Sequence, residues 1–154
     1  MVHSFTRASG GTGSLVGQTT VNAIAGVAEF TDLGIGGFVS GTYELSFTAT
    51  YLSNPAMTVA QSAITISFGT ASKLALTTQA SGFVNRSNFA SQPAVTVQDA
   101  YDNTVTNYAT AVSVAMTGGS TLSGTPSATP TSGVATFSGL GAFGLVSNTN
   151  VLTY

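Results

Sequence analysis

One stretch of this chain is written twice. Gly26-Val27-Ala28-Glu29-Phe30-Thr31-Asp32-Leu33 returns as Gly133-Val134-Ala135-Thr136-Phe137-Ser138-Gly139-Leu140, an offset of 133 minus 26, or 107 positions. Carried without a gap, that offset also pairs Leu15 with Leu122, Gly17 with Gly124, Gly34 with Gly141, Gly37 with Gly144, Val39 with Val146 and Leu45 with Leu152. Apolar and glycine positions coincide while polar ones drift, the mark of two copies of one packed module. A fold for this chain must therefore accommodate the same unit twice.

A period of 107 in 154 residues leaves room for about one and a half modules. The copy of Lys73 would fall before the first residue and that of Ile66 beyond Tyr154. The expected organisation is the latter part of a first module over 1–67, a short uncharged junction over 68–72, and a second module over 73–154 that lacks its last strand. The chain reads as a window on a longer array.

The pattern within each copy is that of extended chain. Tyr43, Leu45, Phe47, Ala49 and Tyr51 alternate with Glu44, Ser46, Thr48 and Thr50, which gives a strand with one packed and one wet face. Ala28 and Phe30 share a face, and Phe30 is expected in the core, where burying its ring contributes about 1.5–3 kcal/mol. Leu74 with Leu76, and Val95 with Val97, are further inward pairs. Thr58 to Ile66 and Thr149 to Tyr154 are expected strands; Ser53-Asn54-Pro55 is an expected turn, and 81–91 a polar loop. Asp99-Ala100-Tyr101-Asp102-Asn103 carries the chemistry of a turn. No stretch holds helical spacing, so the expected class is all-β.

Several of these segments in this order resemble the bacterial immunoglobulin-like repeats of large surface and secreted proteins. They are Lys73-Leu74-Ala75-Leu76-Thr77-Thr78-Gln79, Gln92-Pro93-Ala94-Val95-Thr96-Val97-Gln98-Asp99-Ala100, Asn103-Thr104-Val105-Thr106, Leu122-Ser123-Gly124 and the Gly133 stretch. The resemblance implies tandem immunoglobulin-like Greek-key β-sandwiches, here clipped at both outer ends. It implies a stalk or adhesin role, at the cell surface or outside the cell, with neighbouring repeats of the parent chain as partners. Such repeats share no common active site, so no catalytic residue is carried over. Tyr43, after a Gly-Thr turn, stands where such a sandwich places a tyrosine whose hydroxyl ties a loop to the sheet; its counterpart is Asn150.

Composition narrows the chemistry. Only 5% of residues are charged, the formal net charge is −2, and Lys and Arg together number 3. That is too little positive charge to neutralise a phosphate backbone, so nucleic acid is excluded as a partner. There is no cysteine for a disulfide or thiolate site. No apolar run of 18 residues is present to span a membrane. The single histidine, His3, has no serine or carboxylate placed to work with it. Glu29 and Glu44 fall on predicted wet faces, and Gly10-Gly11-Thr12-Gly13 lacks the Lys and helix of a phosphate loop. An enzyme is not expected.

One constellation remains. Sandwich topology would bring Asp32 of the first module and Asp99, Asp102 and Asn103 of the second to the junction. Carboxylates, an amide and backbone carbonyls are the hard oxygens that Ca²⁺ coordinates. The competing reading is that Asp99 and Asn103 stabilise a turn, and no other cofactor is implied. Two functions follow: a structural spacer, or a loop-mediated module binding host or matrix glycan or protein, as an adhesin tip or phage decoration does. For the latter, Tyr101 and Tyr108 are the candidate contacts.

Overall fold

A computed structural model describes residues 2–7, 13–39, 41–50, 55–144 and 149–154. Among them the chain is all-β, built of small antiparallel sheets with no helix, an architecture compatible with a β-sandwich. It divides into two compact units, Met1–Phe68 and Gly69–Tyr154. The expected turn at Ser53-Asn54 and most of the Gly10–Gly13 run lie outside the described residues.

The first unit holds β1 (Val2–Arg7), β2 (Ser14–Val16), β3 (Gly34–Gly36), β4 (Thr42–Ala49) and β5 (Met57–Thr65). Its three-stranded sheet runs β1-β4-β5, with β2 and β3 as a separate antiparallel pair. The alternation read in 43–51 holds in β4 from Tyr43 to Ser46, whereas Phe47, Thr48 and Ala49 are all part-exposed and Tyr51 lies outside the described residues. Tyr43 (0% exposed) and Leu45 are buried, and Glu44 and Ser46 are part-exposed.

The second unit holds β6 (Lys73–Thr78), β7 (Ser87–Asn88), β8 (Ala94–Gln98), β9 (Val112–Ser113), β10 (Ala115–Thr117), β11 (Thr121–Ser123), β12 (Ser127–Ala128), β13 (Val134–Thr136), β14 (Gly141–Phe143) and β15 (Val151–Thr153). Among the described residues the strand orders are β13-β8-β6, β11-β14-β7, β10-β15 and β12-β9. Its core gathers Phe89, Val95, Val97, Val105, Val112, Val114, Ala135, Phe137 and Leu140. Central strand β8 is buried from Ala94 to Val97, including Thr96, and has a paired strand on each side.

The 107-residue offset is visible in the backbone. In the first unit Ser14 faces Gly36, Leu15 faces Ile35 and Val16 faces Gly34; in the second Thr121 faces Phe143, Leu122 faces Ala142 and Ser123 faces Gly141. The bridge between Ile24 and Val27 returns between Thr131 and Val134. Its tight turn repeats residue for residue, with φ of 50° at Ala25 and at Ser132, then 83° at Gly26 and 80° at Gly133. Gly17 (φ 84°) and Gly124 (φ 90°) also correspond. A Cβ on either would collide with the backbone oxygen of Asp32 or Gly139, themselves one period apart, which explains why glycine is kept at both.

The match stops at β1. In the second unit Val151 faces Thr117, so an unchanged copy would set Glu44 opposite Gly10; instead Glu44 faces Thr6, four positions away.

Three side-chain expectations require correction. Phe30 is only half-buried, because no strand pairs with Val27–Glu29 among the described residues, whereas Phe137 is 1% exposed. Leu74 and Leu76 are 41% and 49% exposed rather than inward, since β6 is the edge strand of its sheet. The segment 81–91 is more than a polar loop: Phe89 is buried, Phe83 packs edge-on to it at 4.8 Å, and Ser87–Asn88 pair with β14.

Candidate functional site

The polar centre of the second unit is built by the turn that follows β8. Asp99 is 3% exposed, and each of its carboxylate oxygens accepts two hydrogen bonds. Oδ1 accepts from the backbone N–H of Tyr101 (2.9 Å) and of Asn103 (3.0 Å), the pattern by which aspartate closes a turn on its own backbone. Oδ2 accepts from the Asn103 side-chain amide (3.0 Å) and from the backbone N–H of Gly69 (2.8 Å). The backbone N–H of Asp99 in turn donates to the Asn103 carbonyl at 2.9 Å. Together these bonds hold Asp102 at a φ of 67°, a left-handed conformation that Asp tolerates better than most residues.

Burial is the strongest single influence on the Asp99 carboxyl and acts to raise its pKa. The hydrogen bonds from Gly69, Asn103 and Tyr101 jointly outweigh it, so the pKa lies below the usual carboxylate value. Asp99 is thus ionised at neutral pH with its acceptor positions engaged. Such a group organises a loop well and is poorly disposed to shuttle protons near neutrality.

The other candidates are more open to solvent. Asp102 pairs with Lys73 at 2.6 Å, with both side chains substantially exposed, a geometry that contributes about 0–1 kcal/mol. Gln98 donates from its side chain to the Asp102 carbonyl at 3.2 Å. Asp32 belongs to the first unit, is exposed, and accepts from the backbone N–H of Gln18 at 2.9 Å. Asp99, Asp102 and Asn103 therefore lie in one turn, and Asp32, in the first unit, binds the backbone of Gln18 across 14 positions. A Ca²⁺ ion on Asp99 would have to displace the donors already seated there. Among the described residues no group of three or more His, Cys, Asp or Glu is placed to hold a metal ion. Tyr101 is 43% exposed and Tyr108 half-buried, and Glu29 is exposed.

Two polar features were not anticipated from sequence. The Gln92 side chain copies a strand partner: its Nε2 donates to the carbonyls of Leu140 (3.0 Å) and Phe89 (2.9 Å), and its Oε1 accepts from the Leu140 N–H (2.9 Å). Asn85 does the same at Gly144, donating at 3.0 Å and accepting at 3.1 Å. These two amides clamp the backbone on either side of β14. Their sequence signal is faint, since nothing local marks an amide whose partner lies 48 or 59 positions away.

The second unit also contains a cavity of about 470 Å³ lined by Leu76, Gln79, Phe83, Met116, Leu152 and Tyr154, among others. Burial raises the Tyr154 hydroxyl pKa above its ordinary value. A shallower groove of about 530 Å³ in the first unit is lined by Ala28, Phe30, Leu33 and Phe47. Comparison with protein families, with curated proteins and with solved structures finds no match.

Proposed function

We propose that this chain is a structural spacer, formed of tandem immunoglobulin-like modules of Greek-key topology from the stalk of an extracellular or cell-surface protein. The observation that carries the reading is the repetition of internal geometry at the sequence period. Phe30 packs on Phe47 with centroids 5.6 Å apart at 52°, and Phe137 packs on Tyr154 at 5.7 Å and 51°. Both members of the second pair lie 107 positions after those of the first.

Strand order supports the topology. By the offset, β15 corresponds to β4, so the pairs β10-β15 and β4-β5 describe neighbouring parts of one sheet, while β13-β8-β6 forms the other. Taken as one composite module, these sheets have the orders A-B-E and C-F-G of an immunoglobulin-like sandwich. The Tyr43 hydroxyl donates to the Phe38 carbonyl at 2.9 Å, the bond expected of a tyrosine corner. A unit whose conserved geometry is its packing, and whose buried acid is spent on its own backbone, suits a load-bearing role. The partners are then adjoining repeats of the parent chain.

Two measurements on the full chain test this. Stretched from its termini, a spacer unfolds in discrete steps, one for each folded unit, and on a glycan array it gives no saturable signal. Saturable glycan binding that Tyr101→Ala abolishes would overturn the reading in favour of a loop-mediated binding module.

A further inference from the structure

Between β5, which ends at Thr65, and β6, which begins at Lys73, residues 66–72 form no regular structure. Ser67, Gly69, Thr70 and Ser72 are exposed, and Ile66, Phe68 and Ala71 are only part-buried, so little apolar burial holds the segment in place. Its second half is nevertheless tied to the turn after β8. The Gly69 N–H donates to Asp99 Oδ2 at 2.8 Å, the Ser72 N–H donates to the Gln98 carbonyl at 2.9 Å, and Lys73 pairs with Asp102 at 2.6 Å. All of these residues belong to the second unit.

The bond to Gly69 differs in kind from the others that Asp99 accepts. Tyr101 and Asn103 donate from within the turn, 2 and 4 positions away, whereas Gly69 lies 30 positions back. The turn is therefore closed without Gly69, and the remaining acceptor position serves the junction alone. Because the acceptor is an ionised carboxylate and is 3% exposed, the bond is charge-assisted and shielded from competing water. The Lys73 pair is exposed and holds far less firmly. A carboxylate is required to serve both sides. An amide at position 99 offers one oxygen, and with that oxygen kept in the turn its nitrogen faces the Gly69 N–H, donor against donor.

We propose that Asp99 is the latch of the junction. Through Oδ2 it holds Gly69, and with it residues 69–72, as part of the second unit. The stretch left free to pivot after β5 is thereby cut from 66–72 to 66–68, and a shorter free stretch has fewer conformations to explore. In a spacer such a latch limits bending at the point where bending is easiest. It stands on hydrogen bonds inside the second unit and not on the spacer reading, so either can fail alone.

The test uses the full chain, labelled with nitrogen-15. In the parent protein the Gly69 amide exchanges as slowly as those of Tyr101 and Asn103, and Thr70 and Ala71 show no excess sub-nanosecond motion. Asp99→Asn accelerates exchange at Gly69 by at least about tenfold, the loss of one charge-assisted hydrogen bond, while Asn103 stays protected. It also broadens the distance distribution between spin labels on Thr31→Cys and Thr110→Cys, exposed positions in a chain without cysteine. Gly69→Pro removes the donor and leaves the carboxylate and its turn untouched. That variant decides the matter if Asp99→Asn unfolds the second unit, and it brings sub-nanosecond motion to Thr70 and Ala71. A Gly69 amide that exchanges freely in the parent, a label distribution that a folded Asp99→Asn leaves unchanged, or Thr70 and Ala71 as still after Gly69→Pro as before would overturn the proposal. Loss of stepwise unfolding under tension would instead remove the spacer reading and leave the latch intact.

Discussion

Residues 14–36 and 121–143 share register, turn conformation and aromatic pairing, yet one copy has a buried core and the other an open groove. The residues are closely matched, so local preference does not account for the contrast. The second unit possesses β8 and the segment before it, while no described strand pairs with the corresponding edge of the first. Burial of a repeated side chain is thus set by its neighbours, and the hairpin of β2 and β3 keeps its geometry with or without full coverage.

The sharpest way to probe that contrast is to remove the matched rings. Phe137→Ala should cost the second unit about 3–5 kcal/mol, the range for deleting a fully buried aromatic, and Phe30→Ala roughly half as much in the first. Denaturant titrations followed by hydrogen exchange in each unit separate the two effects, and equal losses would break the comparison. Next in size is Asp99→Ala, which strands the buried donors of Asn103 and the N–H groups of Gly69 and Tyr101. A loss of about 2–3 kcal/mol is expected in the second unit only, read from its unfolding midpoint.

Asp99 also predicts a pH dependence with a definite sign. Its folded pKa is depressed, so its contribution is complete above the unfolded value, about 3.9, and is lost as pH falls from there through the lower folded value. The second unit should therefore lose stability below roughly pH 4, and Asp99→Asn should flatten that part of its profile in acid-denaturation curves.

Tyr43→Phe keeps the buried ring and removes the bond to Phe38, costing the first unit about 1 kcal/mol by thermal melt. Its counterpart Asn150 accepts instead from the Ser120 N–H at 3.2 Å, so Asn150→Ala should have the smaller effect. Least of all is the expected response to Ca²⁺. Because an ion on Asp99 would have to displace the donors already seated there, the melting midpoint of the second unit should be the same with and without Ca²⁺, and a saturable rise would reinstate Asp99, Asp102 and Asn103 as ligands.

Much of the architecture was legible because the repeat and the alternation of β4 are local signals. So was the turn at Asp99, whose Asp and Asn residues serve the backbone within four positions. Phe89 was hidden in a mostly polar segment, where nothing local distinguishes it from the exposed Phe83. Leu74 and Leu76 were read as core from their spacing, but a two-residue period says which side chains share a face and not whether another layer lies against it. The Gln92 and Asn85 clamps were illegible for a related reason, since their meaning lies in a backbone far along the chain.

By itself, then, the sequence determined that this is a β protein written in a repeated unit, because alternation and glycine placement constrain each residue's own backbone. Tertiary structure alone decided which copy of Ala28, Phe30 and Leu33 would be enclosed, because enclosure requires a second chain segment to displace water, and the same residues present the same face whether or not that segment is there.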